Sequence, residues 1–201
     1  KNANIVFEDL VKGEQSFSTN DLDDFIVRKK DKTPTFMFAN AIDDSLMEVN
    51  LVIRGDDHLS NTPRQIALLN GLNLTLPQYA HVSLFTGSDG APLSKRNGSL
   101  SISDLRELGY LPIAVANYLS RVGHTINDNE LKNYKQLGDS FEIQNISSSP
   151  SKFDNDQLLF WQKKAIENLK IDEFIHWLSE PLKDLPHHID KQEFVELIRE
   201  N

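Results

Sequence analysis

The sequence predicts an α/β fold that turns mostly helical in its second half, and three observations carry that prediction. Short apolar runs bounded by turn residues, such as Leu51-Val52-Ile53, read as buried strands. A tight turn and a proline-started helix follow that run directly, the strand, turn, helix succession that half of a nucleotide-binding fold requires. Beyond Ser103 the apolar residues recur at helical spacing.

Taken in order, Ile5-Val6-Phe7 and Phe25-Ile26-Val27 are strand candidates separated by turn-rich sequence around Gly13. Phe36 to Leu46 carries apolar residues at spacings that suit a helix, and Leu51 to Ile53 is the buried strand. Thr62-Pro63 opens the next helix, with Ile66, Leu68 and Leu69 along its body and Gly71 at its end. After Val82-Ser83-Leu84-Phe85, Ser103 caps a short helix that ends near Gly109. Pro112 begins another, with Val115, Leu119 and Val122 on one face and Gly123 closing it. Residues 124–153 are polar, and Ser147-Ser148-Ser149-Pro150 is a boundary or exposed turn. Asp154 to Leu169, Asp172 to Leu178 and Asp190 onward read as three more helices. In the last, Asp190 and Glu193 resemble a capping box and Phe194, Leu197 and Ile198 form the apolar stripe.

Composition narrows the function classes. A chain of 201 residues, 39% of them hydrophobic, can bury one large core or two small ones. No run approaches the roughly 18 apolar residues of a membrane span, and no signal pattern opens the chain, which leads us to expect a cytoplasmic protein without a membrane partner. The absence of cysteine excludes disulfides and thiolate metal sites. His187-His188 is the only adjacent histidine pair and reads as surface, so no metal site is expected. A net charge of −9 argues against indiscriminate nucleic-acid binding but leaves room for a specific RNA partner met by local basic clusters at Arg28-Lys29-Lys30-Lys32, Lys95-Arg96 and Lys163-Lys164.

The richest stretch is Ala91-Pro92-Leu93-Ser94-Lys95-Arg96-Asn97-Gly98. A hydroxyl, an ammonium and unobstructed backbone amides beside Gly90 and Gly98 could cradle a polyphosphate, although the P-loop spacing is missing. A solvated turn is the competing reading, since Ser-Asp-Gly and Asn-Gly are ordinary turn chemistry. Arg54 follows a buried strand and precedes Gly55, so its fork could point into a cleft. An ion pair with Asp56, Asp57 or Asp43 is the alternative.

Four segments occur in a telling order: Pro34-Thr35-Phe36-Met37-Phe38-Ala39-Asn40-Ala41-Ile42-Asp43-Asp44, then Val52-Ile53-Arg54-Gly55-Asp56-Asp57-His58, then Ala80-His81-Val82-Ser83, then Leu93-Ser94-Lys95-Arg96. Together with Gly109-Tyr110-Leu111-Pro112 and Asn117 to Gly123, they resemble the catalytic half of bacterial glutamyl-tRNA synthetases, class I aminoacyl-tRNA synthetases, over roughly residues 5 to 165. The resemblance implies the second half of a class I Rossmann-like fold followed by a mainly helical stem-contact region. It divides the chain into the end of an acceptor-binding insertion (1–33), the second half of the catalytic domain (34–90), the Leu-Ser-Lys-Arg loop with the stem-contact region (91–150) and the start of the helical anticodon side (151–201).

It also implies roles. Lys95 matches the second Lys of the family's Lys-Leu-Ser-Lys-Arg signature, which binds phosphates and stabilises the transition state. Ser94, Arg96 and His81 would join it at ATP, while Pro92 stands where the first Lys usually does and Leu93 completes the signature. Arg54 matches the substrate-binding Arg and Asn40 the Asn fourteen residues before it. Phe36 replaces a Tyr common in relatives, which suits it to packing in the core or in the wall of the glutamate pocket. Asp57 and His58 match variable positions and serve the helix start or the ligand.

The implied reaction is ATP-dependent ligation of L-glutamate to tRNA(Glu) through glutamyl-adenylate, releasing AMP and pyrophosphate, with ATP bound as its Mg²⁺ complex by a monomeric enzyme. A paralogue charging tRNA(Gln) is the close alternative, and a noncatalytic RNA-binding module the distant one. The His-Ile-Gly-His-type motif of relatives is not found in these 201 residues, so the chain alone is expected to be inactive.

Overall fold

The computed structural model describes residues 3–87, 90, 91, 93, 101–126 and 128–200. The chain divides into two units. The first comprises Lys1–Leu93, Gly123–Thr125 and Glu142–Lys152, and the second the remainder.

The first unit is built on a mixed sheet of β1 (Asn4–Asp9), β2 (Gly13–Ser18), β3 (Leu51–Gly55) and β4 (Gln78–Val82), in the order β2-β1-β4-β3. β1 and β2 are antiparallel, whereas β4 runs parallel to both β1 and β3. Helices α1 (Phe36–Leu46) and α2 (Thr62–Gly71) lie around β3, and α2 makes the crossover that a parallel β3–β4 pair needs. Ala41, Ile66, Leu69, Tyr79 and Ala80 form the buried apolar part of this unit. A second, two-stranded parallel sheet joins β5 (Phe85–Thr86) to β6 (Ser151–Lys152).

Two strand expectations change. Phe25–Val27 forms no strand. Thr35 instead donates its backbone N–H to Val27, and Lys29 receives the loop back from Lys32 at φ 72°, leaving only an isolated bridge from Arg28 to Pro34. A strand propensity is realised only against a partner ladder, and Pro34 has no N–H to extend one. The turn-rich stretch at Gly13 is itself the start of β2. Asp9 Oδ1 accepts the backbone N–H groups of Val11 and Lys12 at 3.0 and 2.9 Å, and Gly13 takes φ 71°, which together close a three-residue hairpin loop.

The second unit is helical: α3 (Ile102–Glu107), α4 (Pro112–Leu119), α5 (Tyr134–Asp139), α6 (Asn155–Asn168), α7 (Ile171–Trp177) and α8 (Lys191–Glu200). Its main core gathers Leu105, Leu111, Ala114, Tyr118, Leu158, Trp161 and Ala165. On α6 these last three share one face at helical spacing, and Asp154 caps the helix by accepting from the N–H groups of Asp156 and Gln157. A smaller core joins Phe174, Leu182 and Val195.

Here too the details differ from expectation. Ser101, not Ser103, caps α3, in a reciprocal box with Asp104. On α4 the buried face is Ala114, Asn117 and Tyr118, while Leu119 is exposed. Asn117 is drawn inward because its side chain makes four hydrogen bonds: it donates to Ile113 O and Lys132 O and accepts from Lys132 N and Arg121. Helix α5 arises inside the polar stretch through a box between Asn133 and Gln136. Among the described side chains of α8, Val195 is fully buried, and Leu197 and Ile198 are exposed.

Candidate ligand-binding site

β3 ends in Arg54 and Gly55, and the chain then winds through a 3-10 turn, Asp56–Asn61, into α2. This geometry turns Arg54 toward a cleft of about 370 Å³ whose wall includes Phe36, Asn40, Asp44, Arg54 and His58. Three residues assigned to the substrate from the sequence, Arg54, Asn40 and Phe36, therefore meet in one place. Asn40 and Asp44 share a face because they are four apart on α1. Phe36, at the first turn of α1, is 69% exposed, with its ring 6.2 Å from the His58 ring. It is cleft wall rather than core.

The guanidinium of Arg54 is held from behind. Nε donates to His81 Nε2 at 3.1 Å, and Nη2 donates to Thr62 Oγ1 at 2.8 Å and to Gln65 Oε1 at 2.7 Å. The Arg54 carbon Cζ lies 5.4 Å from the centre of the Tyr79 ring. Among the described residues Arg54 forms no ion pair. Asp56 bonds Lys12 at 2.9 Å instead, and Asp57 lies 3.8 Å from His58. The local ion-pair alternative for Arg54 is thus not realised. Burial lowers the Arg54 pKa, and Tyr79 and Asp44 oppose that shift. A guanidinium still keeps its charge.

Burial raises the Asp44 pKa, the Arg54 charge pulls it down and Asp43 adds to the rise. The cleft therefore carries one cation and one carboxylate whose ionisation is weakened by its surroundings. Among the described residues no group of three His, Asp or Glu side chains is placed to hold a metal ion.

His81 lies within β4 and is completely buried. Its Nδ1 is 2.5 Å from Asp9 Oδ2, and its backbone N–H donates to both Asp9 oxygens at 3.1 Å. Because Arg54 can only donate, His81 Nε2 must accept, so the ring proton sits on Nδ1 and points at Asp9. With both nitrogens committed to the protein, the ring presents no atom to a ligand. Burial lowers the His81 pKa against the opposing pull of Asp9. Burial also works to raise the Asp9 pKa, but the hydrogen bonds from the His81 ring and from backbone N–H groups win and hold it below the usual carboxylate range.

Lys12 ties the hairpin to the region behind Arg54, its Nζ donating to Asp56 Oδ2, Ser83 Oγ and Ser148 O at 2.9, 2.8 and 2.7 Å. Gln65, Thr62, Asp9 and Asp44 escaped the sequence reading. Asp44 carried a signal, its i+4 spacing from Asn40. Asp9 carried none, because strand β1 is brought to His81 only by the sheet.

Pro92, Ser94, Lys95 and Arg96 lie outside the described residues. Leu93, beside them, donates its backbone N–H to Phe85 O at 2.9 Å, and Gly90 holds φ 78° in the turn leading there.

The sequence profile of class I tRNA synthetases (E and Q), catalytic domain, matches residues 1–160. The chain is 50% identical over 179 residues to glutamate–tRNA ligase 2 of Coxiella burnetii, covering 89% of this chain and 38% of that protein. It is 47% identical over 198 residues to glutamate–tRNA ligase 2 of Nitrosococcus oceani, covering 98% and 42%. A crystal structure of a glutamate tRNA ligase from Elizabethkingia meningosepticum in complex with its amino acid shares the fold at a TM-score of 0.90 and 24% identity, over 99% of this chain and 44% of that one. The chain spans about two fifths of the length of the curated relatives it matches. A profile match across most of the chain, joined to half-identical relatives and a common α/β fold, places it in a family: the chain belongs to the class I tRNA synthetases of the glutamate and glutamine group, its residues 1–160 matching their catalytic domain.

Proposed function

We propose that this chain supplies the amino-acid-binding wall of a glutamate–tRNA ligase, which joins L-glutamate to tRNA(Glu) through glutamyl-adenylate and consumes ATP as its Mg²⁺ complex. The observation that carries the reading is Arg54: a guanidinium without an acidic partner among the described residues, braced by His81, Thr62 and Gln65 at the edge of a cleft. Such a fork suits bidentate capture of the substrate's side-chain carboxylate. Asn40 would add a hydrogen bond, and Phe36 would close the cleft against water. The names of the half-identical relatives support the same substrate.

Activation needs the amino-acid carboxylate to attack the α-phosphorus of ATP in line, so positioning and charge neutralisation matter more than a covalent nucleophile. In this reading Lys95 stabilises the phosphate charge, with Ser94 and Arg96 beside it and Pro92 leaving that contact to backbone. His81 acts through Arg54 rather than on ATP, because its ring is enclosed. The segments 1–33, 34–90, 91–150 and 151–201 keep their proposed parts in acceptor binding, catalysis, stem contact and the approach to the anticodon.

The test is aminoacylation by the complete protein carrying this chain, with radiolabelled L-glutamate and separate tRNA(Glu) and tRNA(Gln) transcripts. Charging of tRNA(Glu) is the expected result. A protein that binds no L-glutamate would overturn the reading, and preferential charging of tRNA(Gln) would reassign its tRNA.

A further inference from the structure

Gln65 is buried, at 2% exposed, and carries no charge, yet it joins Arg54 and Asn40 of the cleft wall. Its Oε1 accepts from Arg54 Nη2 at 2.7 Å, and its Nε2 donates to Asn40 Oδ1 at 3.0 Å and faces Met37 O at 3.5 Å. The neighbours of this amide fix its orientation. A guanidinium has no acceptor, so the Gln65 atom facing Arg54 must be oxygen. A carbonyl has no proton, so the atom facing Met37 must be nitrogen. Both constraints agree.

The consequence passes to Asn40. Since Gln65 presents N–H to it, Asn40 must turn Oδ1 inward, which leaves its Nδ2 as the group available to a ligand. Among the described residues neither Asn40 Nδ2 nor Arg54 Nη1 has a hydrogen-bond partner. Apart from the Asp44 carboxylate on the same helix face, the two groups tied to Gln65 therefore present donors to the cleft. A carboxylate, which only accepts, satisfies both. A carboxamide has one accepting oxygen in place of two, and turning its N–H₂ toward either group sets donor against donor.

We propose that Gln65 is a specificity-determining positioning residue: by fixing the direction of the Arg54–Gln65–Asn40 hydrogen bonds, it makes the wall accept the side-chain carboxylate of glutamate and reject the carboxamide of glutamine. This rests on the glutamate-binding reading of the cleft. The direction originates in Arg54, and the neutral His81 ring sustains it by accepting at Nε2 while its own proton is held by Asp9.

Gln65→Glu tests the idea because it preserves size and gives Arg54 a stronger partner. An acceptor would now face Asn40, turn its amide over and expose Oδ1 to the cleft, converting the wall to one donor and one acceptor. The complete protein would be assayed for aminoacylation kcat and KM with L-glutamate and with L-glutamine. The expected result is a KM for glutamate raised at least about tenfold and a glutamate-over-glutamine preference in kcat/KM lowered by about 10²-fold. A residue with a merely structural role would lower both substrates alike, so an unchanged preference overturns the inference. If the Glu variant does not fold, Gln65→Met decides on the same ratio: it lets Asn40 turn freely, and a preference equal to that of the unaltered protein again overturns the inference. The unaltered protein separates the two levels. Its failure to use L-glutamate would sink the functional reading, whereas normal charging with an unchanged variant ratio sinks only the role of Gln65.

Discussion

Asp9 and His81, seventy-two residues apart in sequence, form a fully enclosed pair in which the His81 ring donates from Nδ1 to Asp9 Oδ2 across 2.5 Å. Asp9 also accepts the backbone N–H groups of Val11, Lys12 and His81. One carboxylate thus closes the β1–β2 hairpin, joins β1 to β4 and sets the tautomer of the ring that supports Arg54.

Replacing that carboxylate leaves several buried donors unsatisfied. Asp9→Ala is expected to destabilise the fold by about 3–5 kcal/mol, the range for removing one partner of a buried polar pair. Urea unfolding followed by circular dichroism measures it. A loss below about 1 kcal/mol would show that water or rearranged neighbours replace Asp9.

Acid should weaken the same region. Both groups have folded pKa values below their ordinary ones, His81 through burial and Asp9 because its hydrogen bonds outweigh burial. In each case the unfolded chain binds protons first as pH falls, so stability is full above the ordinary histidine value of 6.5 and declines below it, with a second decline through the carboxylate range near 3.8. Thermal melts of the unaltered protein and of His81→Asn between pH 7.5 and pH about 5 check the sign. The first decline should be smaller in the variant, and equal slopes would remove His81 as its source.

Arg54 gives a direct test of the proposed substrate. Arg54→Lys keeps the charge but cannot reproduce the fork that reaches His81, Thr62 and Gln65 while facing the cleft. It should raise the KM for glutamate substantially, and Arg54→Ala should cost about 2–5 kcal/mol in transition-state binding. Near-normal kinetics in folded variants would confine Arg54 to a structural part.

Lys95 should separate chemistry from binding. Lys95→Ala in the complete protein is expected to lower turnover on the order of 10²-fold or more while changing glutamate affinity little, since phosphate charge is redistributed toward the transition state. Single-turnover rates against equilibrium glutamate binding make the comparison, and unchanged turnover would take Lys95 out of the proposed mechanism.

Local physics made much of this protein legible from sequence alone. The helix Phe36–Leu46, the strand from Leu51 and the helix opened by Thr62-Pro63 all lie where periodicity and turn chemistry put them, because each is specified by residues within a few positions of one another. The motif order likewise pointed to the family, and Arg54 and Asn40 line one cleft. Tertiary structure decided what depends on distant partners. Phe25–Val27 forms no strand for want of a neighbouring ladder, and Val195 rather than Leu197 goes inward because a facing helix, not the local pattern, selects the buried side. Asp9 and Gln65 are unremarkable in sequence, and nothing near His81 or Asn40 in the chain names their hydrogen-bond partners. Only a sheet that sets β1 beside β4, and a helix crossing that sets α2 against α1, could turn them into one chain of hydrogen bonds whose direction originates in a guanidinium that can only donate.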